Sequence, residues 1–164
     1  MAINTLRGNL DGKGMRIALL ASRFNGFVVD ALVGGAQSAL VEHGVNEDDI
    51  DFISVPGALE LSVVAETAAA SGNYDAIVAV GAIIRGETYH FEIVANESAR
   101  GLADVAARHK LPVLNGVITT NDEAQAMARA GTGKDNKGAE AAYTAIKMAI
   151  LGKDLKGVDK SIGF

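Results

Sequence analysis

The sequence predicts an α/β protein, a three-layer αβα sandwich around a mainly four-stranded parallel sheet. Three observations support this fold class. Short continuous apolar runs, typical of strands buried on both faces, alternate with segments whose apolar residues recur at helical spacing. The connections between them are short and often contain glycine. Alternation of this kind produces a parallel sheet covered by helices through right-handed crossovers.

Two strands and two helices are predicted in the first half of the chain. The strands are apolar runs that stop at turn-forming residues, and the helices carry apolar stripes that stop at glycine. In order, they are strand Met15–Ala21, a helix whose apolar stripe runs from Val29 to Leu40 and stops before Gly44, strand Ile50–Val55, and a helix from about Leu59 to Ala70.

The second half continues the alternation and then adds two helices. Asn121 is of a residue type that caps helix N-termini, so we expect it to begin the shorter of them. In order, the elements are strand Ala76–Ala82, a helix from about Phe91 to His109, strand Leu111–Thr119, a short helix from Asn121 to Arg129, and a last helix after the glycine-rich loop Gly131–Gly138.

The N-terminal arm, about residues 1–14, stands apart from this alternation. Ile3–Leu10 has the composition of a short strand but no evident place in the sheet of its own chain. An unpaired strand is suited to adding to the sheet edge of another subunit. We therefore expect the arm to pair with a neighbouring copy of the chain.

Composition restricts the class of protein and its partners. The chain has 164 residues, 49% of them hydrophobic, which predicts a single globular domain over residues 1–164. A net charge of −5 without a basic stripe argues against nucleic acid as a partner. No apolar run approaches the roughly 20 residues of a membrane span. The absence of cysteine and of a signal-peptide pattern predicts a cytoplasmic location.

Candidate site residues gather at the predicted carboxyl ends of the strands, where parallel sheets bind ligands. The segments there are Phe24–Asn25, Gly57–Glu60, Ala82–His90 and Asn115–Thr120. His90 is the one histidine of three at this mouth, and it follows a glycine-containing turn that would direct N–H groups toward an anion. Taken singly, Phe24 at a strand end is more typical of a core residue, Glu60 is favourable at a helix start through the helix dipole alone, and His90 is equally typical of a helix-start residue.

Cofactor and metal motifs are absent from the sequence. Gly131–Gly138 lacks the GK[ST] of a P-loop and follows a helix instead of a strand. The chain has no GxSxG nucleophile elbow, and its His, Asp and Glu residues lack metal-ligand spacing. We therefore expect no cofactor and no metal.

Several motifs resemble those of the lumazine synthase (6,7-dimethyl-8-ribityllumazine synthase) family. The resemblance extends from about Arg7 to Leu151, and its most specific piece is IRGETYHFE. The motifs, in the family's order and spacing, are Ser22–Asn25, Val55–Gly57 with Glu60, Gly81–Phe91, Gly116–Thr119 and the Gly131–Gly138 loop.

The resemblance implies a flavodoxin-like fold and the penultimate step of riboflavin biosynthesis. In that step 5-amino-6-(D-ribitylamino)uracil condenses with 3,4-dihydroxy-2-butanone 4-phosphate. The products are 6,7-dimethyl-8-ribityllumazine, phosphate and water. Two other readings stay open from the sequence: a non-catalytic flavin- or lumazine-binding homologue, and a shell-forming structural protein.

The resemblance also implies roles for particular residues. His90 would donate and accept protons, Phe24 would stack on the pyrimidine, and Arg129 would hold the phosphate. Leu59 and Asn115 depart from the family pattern, because many members carry aromatic residues at both positions. The full set of implied substrate contacts is Phe24, Asn25, Ala58, Leu59, Glu60, Ala82, Ile83, Ile84, Glu87, Thr88, Asn115, Arg129 and Lys137.

Assembly is a further implication of the resemblance. Family members form homopentamers, some of which associate into decamers or shells of sixty subunits. The active sites would lie at subunit interfaces, with the His90 side from one chain and the Arg129 side from its neighbour. Riboflavin synthase is a further implied partner.

Overall fold

Residues 3–132 and 135–158 are described by the computed structural model. Within these ranges the chain forms a four-stranded parallel sheet in the order β2-β1-β3-β4, with helices on both faces, which confirms the predicted fold class. The elements are β1 (Ile17–Ser22), α1 (Gly26–Glu42), β2 (Ile50–Val55), α2 (Leu61–Ser71), β3 (Ala76–Ile84), α3 (His90–His109), β4 (Val113–Thr120), α4 (Glu123–Arg129) and α5 (Lys137–Gly157).

The two central strands are the continuous apolar runs of the sequence. All of β1 is buried, and so is β3 except for its last residue. The edge strands β2 and β4 are only partly buried, in keeping with their mixed composition. Ala21 lies opposite Val80, so β3 continues past the end of β1 and is paired there with β4 alone.

Successive residues of the central strands feed two separate cores. Leu19 packs into the core that contains α1 and α5, and Leu20 packs into the core under α2 and α3. This alternation follows from the two-residue period of a strand. Each face of the sheet is therefore covered by helices, as the uninterrupted apolar runs predicted.

α1 and α5 approach each other closely around Asn136. A Cβ on Gly138 would lie 2.0 Å from the carbonyl oxygen of Leu32, so no larger residue fits there without displacing α1. The Asn136 side chain is buried, and its Nδ2 donates to the carbonyl oxygens of Ala31 (2.9 Å) and Gly131 (3.0 Å). Its Oδ1 accepts from the N–H of Ala139 (3.0 Å), which caps α5.

At the amino ends of the strands, a polar network joins β2 to the residues just before β1 and β3. The Tyr74 hydroxyl donates to Asp51 Oδ2 (2.6 Å), and Arg16 Nη2 reaches the same oxygen (3.1 Å). These two hydrogen bonds, with the one from Tyr74 the stronger influence, hold the pKa of Asp51 below its ordinary value. The same contact raises the pKa of Tyr74.

Four details differ from the sequence expectations. Residues 3–10 form no strand within the single described chain, where the arm passes α5 with Gly8 against the Lys147 carbonyl, and pairing of the arm with a neighbouring copy stays a prediction. Asp122, not Asn121, caps α4, because its side chain accepts from the N–H of Gln125. β3 extends two residues beyond its predicted end. A 3-10 turn precedes α2, which begins at Leu61.

Some residues of the predicted elements lie outside the described ranges. Residues 133 and 134 of the predicted glycine-rich loop, and the arm's first two residues, lie outside the described ranges. Among the residues that are described, no helix combines the length and the apolar character needed to cross a membrane.

The Asn136 side chain should be worth more than an ordinary helix cap. We expect Asn136→Ala to lower the free energy of unfolding by about 2–4 kcal/mol, since it removes a cap and leaves buried carbonyl groups without donors. Asn136→Asp retains the acceptor for Ala139 but cannot donate to Ala31, so it should be destabilising as well. Urea denaturation checks both variants, and a neutral effect of Asn136→Asp would show that only the cap matters.

The Asp51 network predicts a pH-dependent contribution to stability. Because the pKa of Asp51 is lowered in the folded chain, its contribution is present above the ordinary value of 3.8 and is lost as the pH falls through the folded-state pKa. Tyr74→Phe should therefore lower stability at pH 7, and the difference from wild type should shrink below about pH 4.

Urea denaturation over a pH series measures this dependence. Tyr143→Phe is the matched control, because it removes a hydroxyl from a ring that packs on His43 in the α1–α5 layer. A Tyr74→Phe deficit that stays constant from pH 7 to pH 3 would exclude Asp51 ionisation as its origin.

Candidate active site

An open cleft lies at the carboxyl ends of the central strands. Its volume is about 440 Å³, and it is walled by the segments after β1 and β2, by the end of β3 and by the first turns of α3. The lining residues are Ser22, Phe24, Asn25, Gly57, Ala58, Leu59, Glu60, Ala82, Ile83, Ile84, His90 and Val94.

Backbone and side-chain hydrogen bonds hold the first two loops of the cleft in place. Asn25 has left-handed backbone angles (φ 59°), which asparagine tolerates better than most residues. From this position its Nδ2 donates to the carbonyl oxygen of Ala82 at the end of β3 (2.9 Å). The N–H of Arg23 donates to the carbonyl oxygen of Val55 (3.1 Å), so the ends of β1 and β2 are joined too.

Gly57 brings an aromatic ring and a carboxylate to the same wall. A Cβ on Gly57 would lie 2.9 Å from Glu60 Oε2 and 3.3 Å from Phe24 Cε2. Both side chains therefore lie against the Gly57 backbone, in the space that any other residue would occupy. Phe24 is 70% exposed, which excludes the reading of this residue as part of the core.

His90 is the first residue of α3 and lines the same cleft. Its N–H lies 3.4 Å from the Thr88 hydroxyl, which accepts from it. Thr88 and Glu87 are exposed in the loop between β3 and α3 and do not line the cleft. The N-terminus of a 20-residue helix favours negative charge, so this loop can receive an anion beside the imidazole.

Arg85 connects the His90 loop to its surroundings. Its Nε donates to Asn121 Oδ1 (2.9 Å) and its Nη1 donates to Glu92 Oε1 (2.6 Å). The guanidinium carbon lies 4.3 Å from the centre of the Phe91 ring. The hydrogen bond from Arg85 holds the pKa of the Glu92 carboxyl below its ordinary value.

The remaining predicted site residues lie elsewhere, in a second cleft of about 340 Å³ along β4 and α5. Arg129 and Lys137 line it, and Lys137 Nζ is paired there with Glu140 Oε2 (2.7 Å). Asn115 also lines it, but it lies within β4 opposite Ala79. The expectation that Asn115 lies beyond the strand end was therefore wrong.

Twelve of the fourteen predicted residues thus divide into two groups within one chain, and Glu87 and Thr88 line neither cleft. Phe24, His90 and seven neighbours share the first cleft, whereas Asn115, Arg129 and Lys137 share the second, and the clefts have no lining residue in common. Sequence reasoning did not select Ser22 or Val94, which also line the first cleft. Ser22 was visible as the polar end of an apolar strand, but nothing in the sequence marked Val94.

No cluster of three or more His, Asp or Glu side chains suited to a metal ion occurs in the described ranges. What the first cleft offers is an aromatic face, a carboxylate, a small-residue floor and an imidazole. Such a site can bind a planar polar ring with a hydroxylated substituent and can move protons near neutral pH.

Comparison with protein-family models shows a match over most of the chain. The family model of 6,7-dimethyl-8-ribityllumazine synthase matches residues 14–153 of the 164. The matched segment begins before β1 and ends within α5, so it includes both clefts. The chain therefore belongs to the 6,7-dimethyl-8-ribityllumazine synthase family.

Proposed function

We propose that this chain catalyses the condensation of 5-amino-6-(D-ribitylamino)uracil with 3,4-dihydroxy-2-butanone 4-phosphate. The observation that carries the proposal is the convergence of Phe24, Glu60 and His90 on one cleft in a chain of this family. The products are 6,7-dimethyl-8-ribityllumazine, inorganic phosphate and water.

The proposed reaction requires few catalytic groups from the protein. One substrate supplies an amine and the other a ketone; they form an imine with loss of one water, phosphate is eliminated, and a second amine closes the ring with loss of another water. Since the substrates provide both nucleophile and electrophile, holding them together in the right orientation supplies most of the acceleration. The remaining need is for proton transfer near neutral pH, which suits the His90 imidazole.

The first cleft has the features needed for the uracil substrate. Its volume of about 440 Å³ is in the range of small-molecule sites. The Phe24 ring stacks on the pyrimidine, and Glu60 accepts hydrogen bonds from ribityl hydroxyls. Asn25 and the backbone of Ala82–Ile84 hold the heterocycle, and the buried Ala58 leaves room for the ribityl chain.

The butanone phosphate occupies the side of the cleft toward the His90 loop. Backbone N–H groups of Glu87 and Thr88 and the N-terminus of α3 bind the phosphate. Arg129 adds a planar guanidinium, which suits a phosphate dianion. The Glu87 carboxylate points away from the phosphate, since it would otherwise repel it.

Arg129 serves the site of a neighbouring subunit in this proposal, with Lys137 and Asn115 beside it. Two observations support such sharing: the two residue groups lie in different clefts of one chain, and both clefts are open to solvent. A head-to-tail ring brings the second cleft of one copy against the first cleft of the next. We propose a pentamer, or a multiple of it, as the active form.

Turnover of the two substrates is the decisive measurement. Mixing them with the purified protein should produce 6,7-dimethyl-8-ribityllumazine, followed by its absorbance. Tight binding of the lumazine without turnover would indicate a binding homologue. Assembly with neither binding nor turnover would indicate a structural protein.

His90→Ala should lower turnover by roughly 10- to 1,000-fold, because it removes acid/base catalysis and leaves proximity intact. His109→Ala is the control: this histidine lies at the far end of α3 and pairs with Glu66 (2.8 Å). Steady-state kinetics should show a loss for His90→Ala alone. An unchanged rate for that variant would remove His90 from its role.

A mixed-subunit experiment tests the shared site. His90→Ala and Arg129→Ala chains, each of low activity, are mixed equally, unfolded and reassembled. With random assembly, about one interface in four has both sides intact, so about a quarter of wild-type activity should return. If native mass spectrometry shows mixed rings but activity stays at the level of the parents, the site is contained in one chain.

A further inference from the structure

The Arg85 contacts converge on the part of α3 that carries His90. Phe91 and Glu92 follow His90 directly, and the guanidinium stacks on one and hydrogen-bonds to the other. Its third contact, Asn121, lies just after β4, and the backbone N–H of Arg85 donates to the Thr120 carbonyl oxygen (2.8 Å). Arg85 thus joins the first turn of α3 to the carboxyl end of β4.

The start of α3 lacks an N-cap side chain that bonds to the helix, which is the usual way to hold a first turn. Tyr89 occupies the N-cap position with right-handed helical backbone angles and makes no side-chain cap hydrogen bond. The N–H groups of Glu92 and Ile93 both reach the Tyr89 carbonyl oxygen (3.0 and 3.4 Å), but the one side-chain acceptor at this helix end in the described chain is the Thr88 hydroxyl, 3.4 Å from the His90 N–H. A weakly capped helix end frays easily, so the contacts of Arg85 with Phe91 and Glu92 add a restraint that the cap itself supplies only weakly.

A contribution to global stability alone does not account for this arrangement. The Arg85 and Glu92 side chains are 45% and 33% exposed, and exposed ion pairs contribute little to the free energy of unfolding. What the three contacts restrict is direction, because a planar guanidinium meets two acceptors and a ring in one geometry.

We propose that Arg85 is a positioning residue that sets the orientation of the first turn of α3 and thereby aims the His90 imidazole into the cleft. The catalytic part of this inference rests on the proposed function of His90. Arg85 touches neither substrate; it acts through the helix turn.

Arg85→Met tests the proposal while keeping an unbranched stem over Phe91. Amide hydrogen exchange of residues 90–93 should become at least several-fold faster. Turnover should fall by about 10- to 100-fold with nearly unchanged KM values, since small displacements of a reacting group are costly. Arg85→Lys, which reaches one acceptor but cannot meet both, should be intermediate.

Arg100→Met is the matched control. Arg100 lies on the same helix, is 67% exposed and pairs with Glu97 and Asp104. Its loss removes a comparable surface charge network from α3 without touching the first turn. Exchange of residues 90–93 and turnover should both stay at wild-type values.

A double-mutant cycle asks whether Arg85 acts through His90. In a His90→Ala background, Arg85→Met should cause less than a two-fold further loss of turnover. Additive losses would overturn the proposal. A higher KM for the butanone phosphate alone, at unchanged kcat, would also overturn it by making Arg85 a phosphate ligand.

The exchange measurement separates this proposal from the proposed function. Unchanged exchange of residues 90–93 in Arg85→Met overturns the positioning role, whatever the wild-type turnover. Faster exchange in a protein without turnover overturns the proposed function and leaves Arg85 as the anchor of the turn. Should Arg85→Met fail to fold, Glu92→Leu removes one contact and must raise exchange in the same residues.

Discussion

Hydrogen bonding between β1 and β3 is the constraint on which the candidate site depends. With Ala21 opposite Val80, β1 stops while β3 continues to Ile84. The extra length of β3 forms the wall of the cleft, and the loop after β1 folds against it through the bond from Asn25 to Ala82. A shift of register would separate these two walls, since the end of β1 sets where the Asn25 loop begins and β3 sets where the Ala82 carbonyl lies.

Besides the strand register, a small residue shapes the wall of the cleft. Gly57 lets Phe24 and Glu60 lie against one stretch of backbone, so ring and carboxylate share a wall of the cleft. Leu59 is 41% exposed beside them, and it offers an aliphatic surface. Phe24 is the one aromatic six-membered ring among the residues that line the first cleft, so a planar ligand that stacks on such a ring there would stack on Phe24.

Sequence reasoning was strong where the signal is local and weak where it is not. The buried runs of β1 and β3 and the periodic stripes of the helices predicted the layers, and strand ends predicted where Phe24 and His90 would lie. Edge-strand residues were harder: Asn115 was assigned to the carboxyl end of the predicted strand Leu111–Thr119, yet it pairs well inside β4, opposite Ala79. Asn121 and Asp122 are both capping residue types, and only the geometry of the turn decides between them.

Contacts between distant segments could not be predicted at all. The bond from Asn136 to Ala31 spans 105 residues, and the one from Arg85 to Asn121 spans 36. Neither side chain has a sequence signature that names its partner. Each contact depends on the relative positions of several elements, so it is evident only in the folded structure.

At a helix N-terminus, free N–H groups that could bind an anion compete with side chains that could cap the helix. A capping side chain at Tyr89 would use the free N–H groups that make the start of α3 attractive to phosphate. Here only the long contact from the His90 N–H to the Thr88 hydroxyl (3.4 Å) uses one of them, so the turn that carries the imidazole is weakly held at its own end. Anchoring the turn from outside, through a residue that does not use its N–H groups, satisfies both needs, and the contacts of Arg85 with Phe91 and Glu92 are of this kind.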